Sequence, residues 1–139
     1  MIKTPLRKSH RSPYTMIVFA ILMFMSIFLV TCVIFPKFDN GNLKTAILAS
    51  YATAVVFGTL TWLLDPGYLS RDKDMNFMDL LEQFEPNCLC PECEVIRTPR
   101  SRHCNVCKKC VDRFDHHCPW INNCIGIRNY SSFYLFIFA

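Results

Sequence analysis

Eight of the nine cysteines and three of the four histidines of this 139-residue chain lie between Cys88 and Cys124. Such crowding has two readings, a disulfide framework or a metal site. Three C-x2-C steps, Cys90/Cys93, Cys104/Cys107 and Cys107/Cys110, and the pair His103-Cys104 point to zinc. A closed structural zinc takes four ligands, so a pair of ions would use eight of the eleven Cys and His side chains. The other three are left for different work. Spacing supplies that total but not the pairing, because Cys107 could partner Cys104 or Cys110.

Asp115-His116-His117-Cys118, followed by Pro119-Trp120 and Asn123-Cys124-Ile125-Gly126, resembles the DHHC cysteine-rich domain of protein S-acyltransferases, the palmitoyltransferases. The match covers the spacing of the whole cysteine window and reaches Asn129 and Phe133. Asp65-Pro66-Gly67 is similar to the family's upstream DPG motif. One departure is Arg97-Thr98-Pro99, where the family often has Pro directly after the basic residue; it reads as a loop change that touches no ligand.

The resemblance implies that one zinc takes Cys90, Cys93, His103 and Cys110, and the other Cys104, Cys107, His117 and Cys124. Cys88, His116 and Cys118 remain. A nucleophilic thiol needs a base, and the base needs a group to hold its orientation. Asp115, His116 and Cys118 supply all three types within four residues. Both zinc ions are then structural, since a catalytic zinc keeps a coordination position open. The bland readings are a surface or supporting histidine for His116 and a spare zinc ligand for Cys118. Cys88 reads as a bystander.

The mechanism implied is two-step acyl transfer. Cys118, deprotonated by His116, attacks the thioester of a long-chain acyl-coenzyme A such as palmitoyl-coenzyme A. A cytosolic cysteine of a membrane-associated protein then takes the acyl group from Cys118. Exchange between thioesters is nearly balanced in energy, so positioning and an activated nucleophile are the main requirements. Each buried methylene contributes about 0.8 kcal/mol, so the acyl chain belongs in an apolar cavity among membrane helices. Arg97, Arg100, Arg102 and Lys108 could face the coenzyme's phosphates or form a solvated surface balanced by Glu92 and Glu94. Trp120 could line the chain entrance or anchor the domain at the membrane interface.

What must position this chemistry is membrane-bound. Residues 1–13 form a basic tail with Lys3, Arg7, Lys8 and Arg11. Residues 14–35 carry no charge, enough for a transmembrane helix, which needs roughly 20 apolar residues. A cleavable signal peptide would have a shorter apolar core and a small-residue site after it, which Phe35-Pro36-Lys37 is not. A lumenal turn over 36–42 leads to a second helix over 43–64, with Trp62 and Tyr68 near its end at headgroup level. Ala46, Ser50, Ala54 and Gly58 form a small-residue stripe suited to close helix packing. The linker 65–87 contains Phe77, Leu80, Leu81 and Phe84 at helical spacing, with Asn76 as cap and Pro86 as stop, and should pack on the zinc domain. That domain, 88–128, is expected to have little regular structure. Residues 129–139 start a third transmembrane helix. The chain therefore reads as an integral membrane, mainly α protein, the N-terminal part of a longer one. The family has at least four such helices and further motifs beyond them.

Four basic residues lie in the tail, two near the turn and nine between Asp65 and Arg128, which places the tail and the zinc domain on the cytosolic side of the membrane, expected to be one of the endomembrane system (Golgi, ER or plasma membrane). In the cytosol thiols stay reduced and available to metal. The Asp65–Arg128 segment also holds ten of the eleven acids, so the net charge of +4 comes from tail and turn. A nucleic-acid binder would concentrate positive charge on its folded domain, and no C-x2-4-C-x12-H-x3-5-H finger is present. No nucleic-acid partner is expected. The rival readings are a non-catalytic, membrane-tethered zinc scaffold and a truncated, inactive fragment of the enzyme.

Overall fold

A computed structural model describes residues 13–71 and 76–139. The tail lysines and arginines, Lys3 to Arg11, lie outside the described residues. The first apolar run forms α1, Pro13–Leu29. Pro36 has no N–H to continue the ladder, and the helix widens into a π-turn over Val30–Ile34 before tightening into a 3-10 turn over Phe35–Lys37. Asn40 then caps α2, Gly41–Leu63, its side chain accepting from Leu43 N at 3.2 Å. Pro13–Lys37 and Gly41–Leu63, 25 and 23 residues, are long and apolar enough to cross a membrane. α1 has no buried residue and α2 only Thr61. Most of their apolar surface is uncovered by protein.

Asp65-Pro66-Gly67 turns the chain from α2 into the cysteine-rich part. The Asp65 carboxylate accepts from Gly67 N at 2.7 Å and Tyr68 N at 3.0 Å. Gly67 sits at φ 105°, the left-handed region, and a Cβ there would lie 2.8 Å from Ile127 Cγ2. The turn aligns the chain with the second of the hairpins described next, through Leu69 N to Cys110 O at 2.9 Å and Asp112 N to Gly67 O at 2.8 Å. Gly126 closes the other side of this seam. A Cβ there would come within 2.4 Å of Pro66 O.

The linker helix α3, Phe77–Gln83, is capped by Asn76 as the sequence suggests. Its apolar face is covered less than expected: Leu80 is buried, while Leu81 and Phe84 stay exposed. Phe77 is half-buried, so two of the four side chains, not all, are covered.

The cysteine-rich part is more regular than its composition suggests. It is built of three two-stranded antiparallel hairpins: β1 Leu89–Cys90 with β2 Val95–Ile96, β3 Arg102–Cys104 with β4 Lys109–Val111, and β5 His117–Cys118 with β6 Asn123–Cys124. Each tip carries one non-glycine residue in the left-handed region, Glu94, Lys108 and Asn122, at φ 53°, 55° and 52°. The chain then enters α4, Tyr130–Ile137, whose Phe136 ring packs 3.1 Å from the position a Gly58 Cβ would take. The Ser50 hydroxyl also meets the Ala139 carbonyl. Two members of the small-residue stripe thus face α4.

Candidate functional site

Hairpin register brings the metal-type residues together. His103 lies directly across from Cys110, and His117 from Cys124. Each such pair meets the C-x2-C tip of the preceding hairpin. Two sets result, Cys90/Cys93/His103/Cys110 and Cys104/Cys107/His117/Cys124, each with its donor atoms within 4.8 Å of one another. The ambiguity over Cys107 is resolved in favour of Cys104. In the first set His103 Nδ1 lies 3.7, 3.2 and 3.9 Å from the sulfurs of Cys90, Cys93 and Cys110. In the second, His117 Nδ1 lies 3.4 and 3.6 Å from Cys107 and Cys124. Tetrahedral zinc with ordinary Zn–S and Zn–N bonds separates such atoms by about 3.6 Å. The donor sets fit zinc.

Charge argues the same way. Burial pushes the Cys93 and Cys110 thiols up, and hydrogen bonding to Cys107 together with burial pushes Cys124 up. Crowded thiols resist ionisation unless a cation compensates them. The Glu92 carboxylate stands 3.4 Å from His103 Nε2, where it would orient a ring whose other nitrogen faces the cluster.

Cys118 belongs to neither set. It occupies the tip position that Cys90 and Cys104 hold in the first two hairpins, but its surroundings are apolar: buried Ile121 and Ile125, with Phe133 and Phe136 of α4 packed against them. His116 and Asp115 precede it, their Nδ1 and Oδ2 3.5 Å apart, both partly exposed. Their backbone is fixed from one residue, Asp115 N to Ile125 O at 2.9 Å and Ile125 N to His116 O at 2.8 Å. The Phe133 ring meets His116 edge-on at 5.1 Å.

Trp120 and Ile121 open onto an apolar cleft of about 390 Å³ between α1 and α2, lined also by Phe19, Tyr51, Gly58 and Phe136. The Trp120 ring lies 6.1 Å from Phe19. Arg97 lines a separate polar groove with Asn87, Thr98 and His103, while Arg100 is exposed. The structure does not bring these arginines to the Trp120 cleft. Thr98, the residue that departs from the family pattern, donates to Asp112 Oδ1 at 2.6 Å.

Sequence reasoning assigned no role to Asn123, Thr61, Ser132 or Ile121. Asn123 Nδ2 reaches the carbonyls of Thr61, Trp62 and Leu64 at 3.0, 3.2 and 3.0 Å, satisfying the C-terminal end of α2. The Thr61 hydroxyl donates to Ser132 Oγ at 3.0 Å, tying α2 to α4. Only Ile121 left a readable trace, the 14-residue recurrence of Cys90, Cys104 and Cys118 and of Cys93, Cys107 and Ile121.

Comparison with known proteins agrees with the site. Residues 83–139 match the family model described as DHHC palmitoyltransferase. Palmitoyltransferase Hip14 of Drosophila melanogaster is 44% identical over 84 residues, covering 55% of this chain and 13% of that protein. Palmitoyltransferase ZDHHC4 of Bos taurus is 40% identical over 89 residues, 61% of this chain and 26% of the relative. Palmitoyltransferase ZDHHC14 of Danio rerio is 60% identical over 50 residues, 36% of this chain and 10% of the relative. The matched part is thus about a quarter or less of each relative's length. Residues 83–139 are thus a DHHC palmitoyltransferase family domain.

Proposed function

We propose that this chain performs protein S-acylation at a membrane surface, moving a long-chain acyl group from acyl-coenzyme A to cysteine thiols of membrane-associated proteins. The observation that carries the proposal is the position of Cys118. It is a thiol outside both metal sets, preceded by an aspartate–histidine pair and packed on residues that line an apolar cleft. In the first step His116 takes the Cys118 proton, the sulfur attacks the acyl carbonyl, and coenzyme A leaves as its thiolate. In the second, a substrate cysteine attacks the acyl-Cys118 thioester and Cys118 regains its proton. Asp115 orients His116 and stabilises its charged form.

The two Cys3His sets would hold zinc, which would supply rigidity rather than Lewis-acid chemistry, because four protein donors would close each site. The ligands His117 and Cys124 are neighbours across β5 and β6, so the hairpin that carries Cys118 is fixed from both strands. The cleft between α1 and α2 is the place for the acyl chain, with Trp120 at its mouth. α1 and α2 cross the bilayer, with tail and cysteine-rich part on the cytosolic side and the turn at 38–40 opposite. Arg97 and Arg100 stand outside that cleft, and their assignment to the coenzyme A phosphates rests on charge alone.

The test is incubation of detergent-solubilised protein with labelled palmitoyl-coenzyme A. A hydroxylamine-labile label on wild type that disappears in Cys118→Ser is expected. A zinc-loaded wild type that takes no label contradicts the proposal and leaves the non-catalytic scaffold and the inactive fragment of the enzyme, which the same assay on a longer chain separates.

A further inference from the structure

The three hairpins are copies of one unit. Their first tip cysteines recur every 14 residues, Cys90, Cys104 and Cys118, and their left-handed tip residues share one φ within 3°. The register partners recur with the same period: Leu89 and Ile96, His103 and Cys110, His117 and Cys124. Each unit can offer two ligand pairs, one from the tip to the hairpin that follows and one from the strands to the hairpin that precedes. The first uses only its tip, the second uses both, and the third uses only its strands.

The third tip is therefore a metal knuckle without a metal site. Its first ligand position is kept, as Cys118; its second is Ile121, where the other units have Cys93 and Cys107. Among the described residues the element that follows β6 is α4, not another hairpin. At the corresponding place α4 lays Phe133 and Phe136 over the tip. Ile121 is 4% exposed and touches two environments, the Cys118 cluster and the apolar cleft.

We propose that Ile121 is a positioning residue that keeps the Cys118 thiol free of metal. A C-x2-C tip chelates soft cations through two sulfurs on one turn. With an aliphatic chain in the second position the tip offers a single sulfur, in apolar surroundings that favour no cation. The hairpin geometry that elsewhere in this domain makes a ligand here presents a nucleophile. This inference rests on the reading of Cys118 as the acyl acceptor.

The test substitutes the second position and reads Cys118 directly. Wild type, Ile121→Cys, Ile121→His and Ile121→Ser, each with its two resident zinc ions verified, are alkylated with a small thiol reagent with and without cadmium. Modification of Cys118 is followed by peptide mass spectrometry. Ile121→Cys restores the C-x2-C step. Ile121→His offers a donor that does not exchange as a thiol into the neighbouring set, and Ile121→Ser perturbs packing without adding a strong ligand. Cadmium is expected to slow Cys118 alkylation about tenfold or more in the Cys and His variants, and by less than about twofold in wild type and Ile121→Ser. Absence of protection in both donor variants overturns the proposal, as does equal protection in wild type. The hydroxylamine-labile label on wild type reports separately on the acyl-acceptor reading, which can fail while cadmium protection succeeds.

Discussion

The side chain of Asn123 donates to the backbone carbonyl of Thr61 at 3.0 Å, joining the third hairpin to the end of a helix 62 residues earlier. Two more carbonyls of the same helix end share that amide, and Asn123 Oδ1 accepts from Cys124 N at 3.0 Å. Asn129 Nδ2 donates to the same Thr61 carbonyl at 3.3 Å and to Cys124 O at 2.8 Å, so two amides together set where β6, and with it Cys118, stands relative to α2.

Asn123→Ala should lower stability by about 1–3 kcal/mol, because the part-buried Trp62 and Leu64 carbonyls lose this donor while Thr61 O keeps Asn129. Asn123→Asp should be worse, since it sets a carboxylate oxygen against those carbonyls. Thermal unfolding in detergent measures both, and an aspartate variant as stable as wild type would contradict the capping role.

Cys118→Ser and Cys124→Ser separate chemistry from architecture. The first should keep both metals and near wild-type thermal stability while losing the acyl label. The second should lose one metal equivalent and unfold at a lower temperature, because a ligand is missing from a Cys3His set. Metal content and melting temperature, measured together, check the pair.

Metal binding should weaken as pH falls. Burial and neighbouring sulfurs hold the Cys93, Cys110 and Cys124 thiols protonated in the absence of a cation. Zinc uptake must therefore expel protons, and acid drives the exchange back. A zinc-sensitive dye should show release growing with each step down in pH, and a strong chelator at neutral pH should abolish the hairpin structure. Release that grows as pH rises would reverse the sign and exclude thiolate ligation.

Ala54→Phe should narrow the cleft between α1 and α2 and shift preference toward shorter acyl-coenzyme A. Ala54 lines the cleft on the same helix as Gly58 and Thr59, one turn before them and so further from the hairpins. Each methylene denied burial costs about 0.8 kcal/mol, roughly a fourfold loss of affinity. Competition between lauroyl- and stearoyl-coenzyme A in the labelling reaction reads the shift, and an unchanged ratio would move the acyl chain elsewhere.

The two long helices and the metal residues were legible because their signals are local: an uncharged run, a C-x2-C step. Ligand pairing was not. Cys107 has identical spacing to Cys104 and Cys110, and what decides is Lys108 in the left-handed region, which folds Cys110 back across from His103. The reach of Asn123 to Thr61 has no local signature at all. Helical periodicity marked Leu81 and Phe84 as packed, yet they stay exposed while Leu80 is buried and Phe77 half-buried, because periodicity gives a face and not what covers it. The stripe from Ala46 to Gly58 likewise said close approach without saying to what; at Gly58 it is the ring of Phe136.

The middle hairpin supplies two donors to each metal set, Cys104 and Cys107 to one, His103 and Cys110 to the other. Neither ion can then be gained or lost without changing the order of a segment that the other also holds. Loading of the two sets should accordingly be cooperative, each ion raising the affinity for its neighbour by the same factor. The domain should populate few singly loaded molecules. A cell short of zinc would then hold a mixture of fully assembled and fully disassembled copies of the domain rather than a population of half-loaded ones.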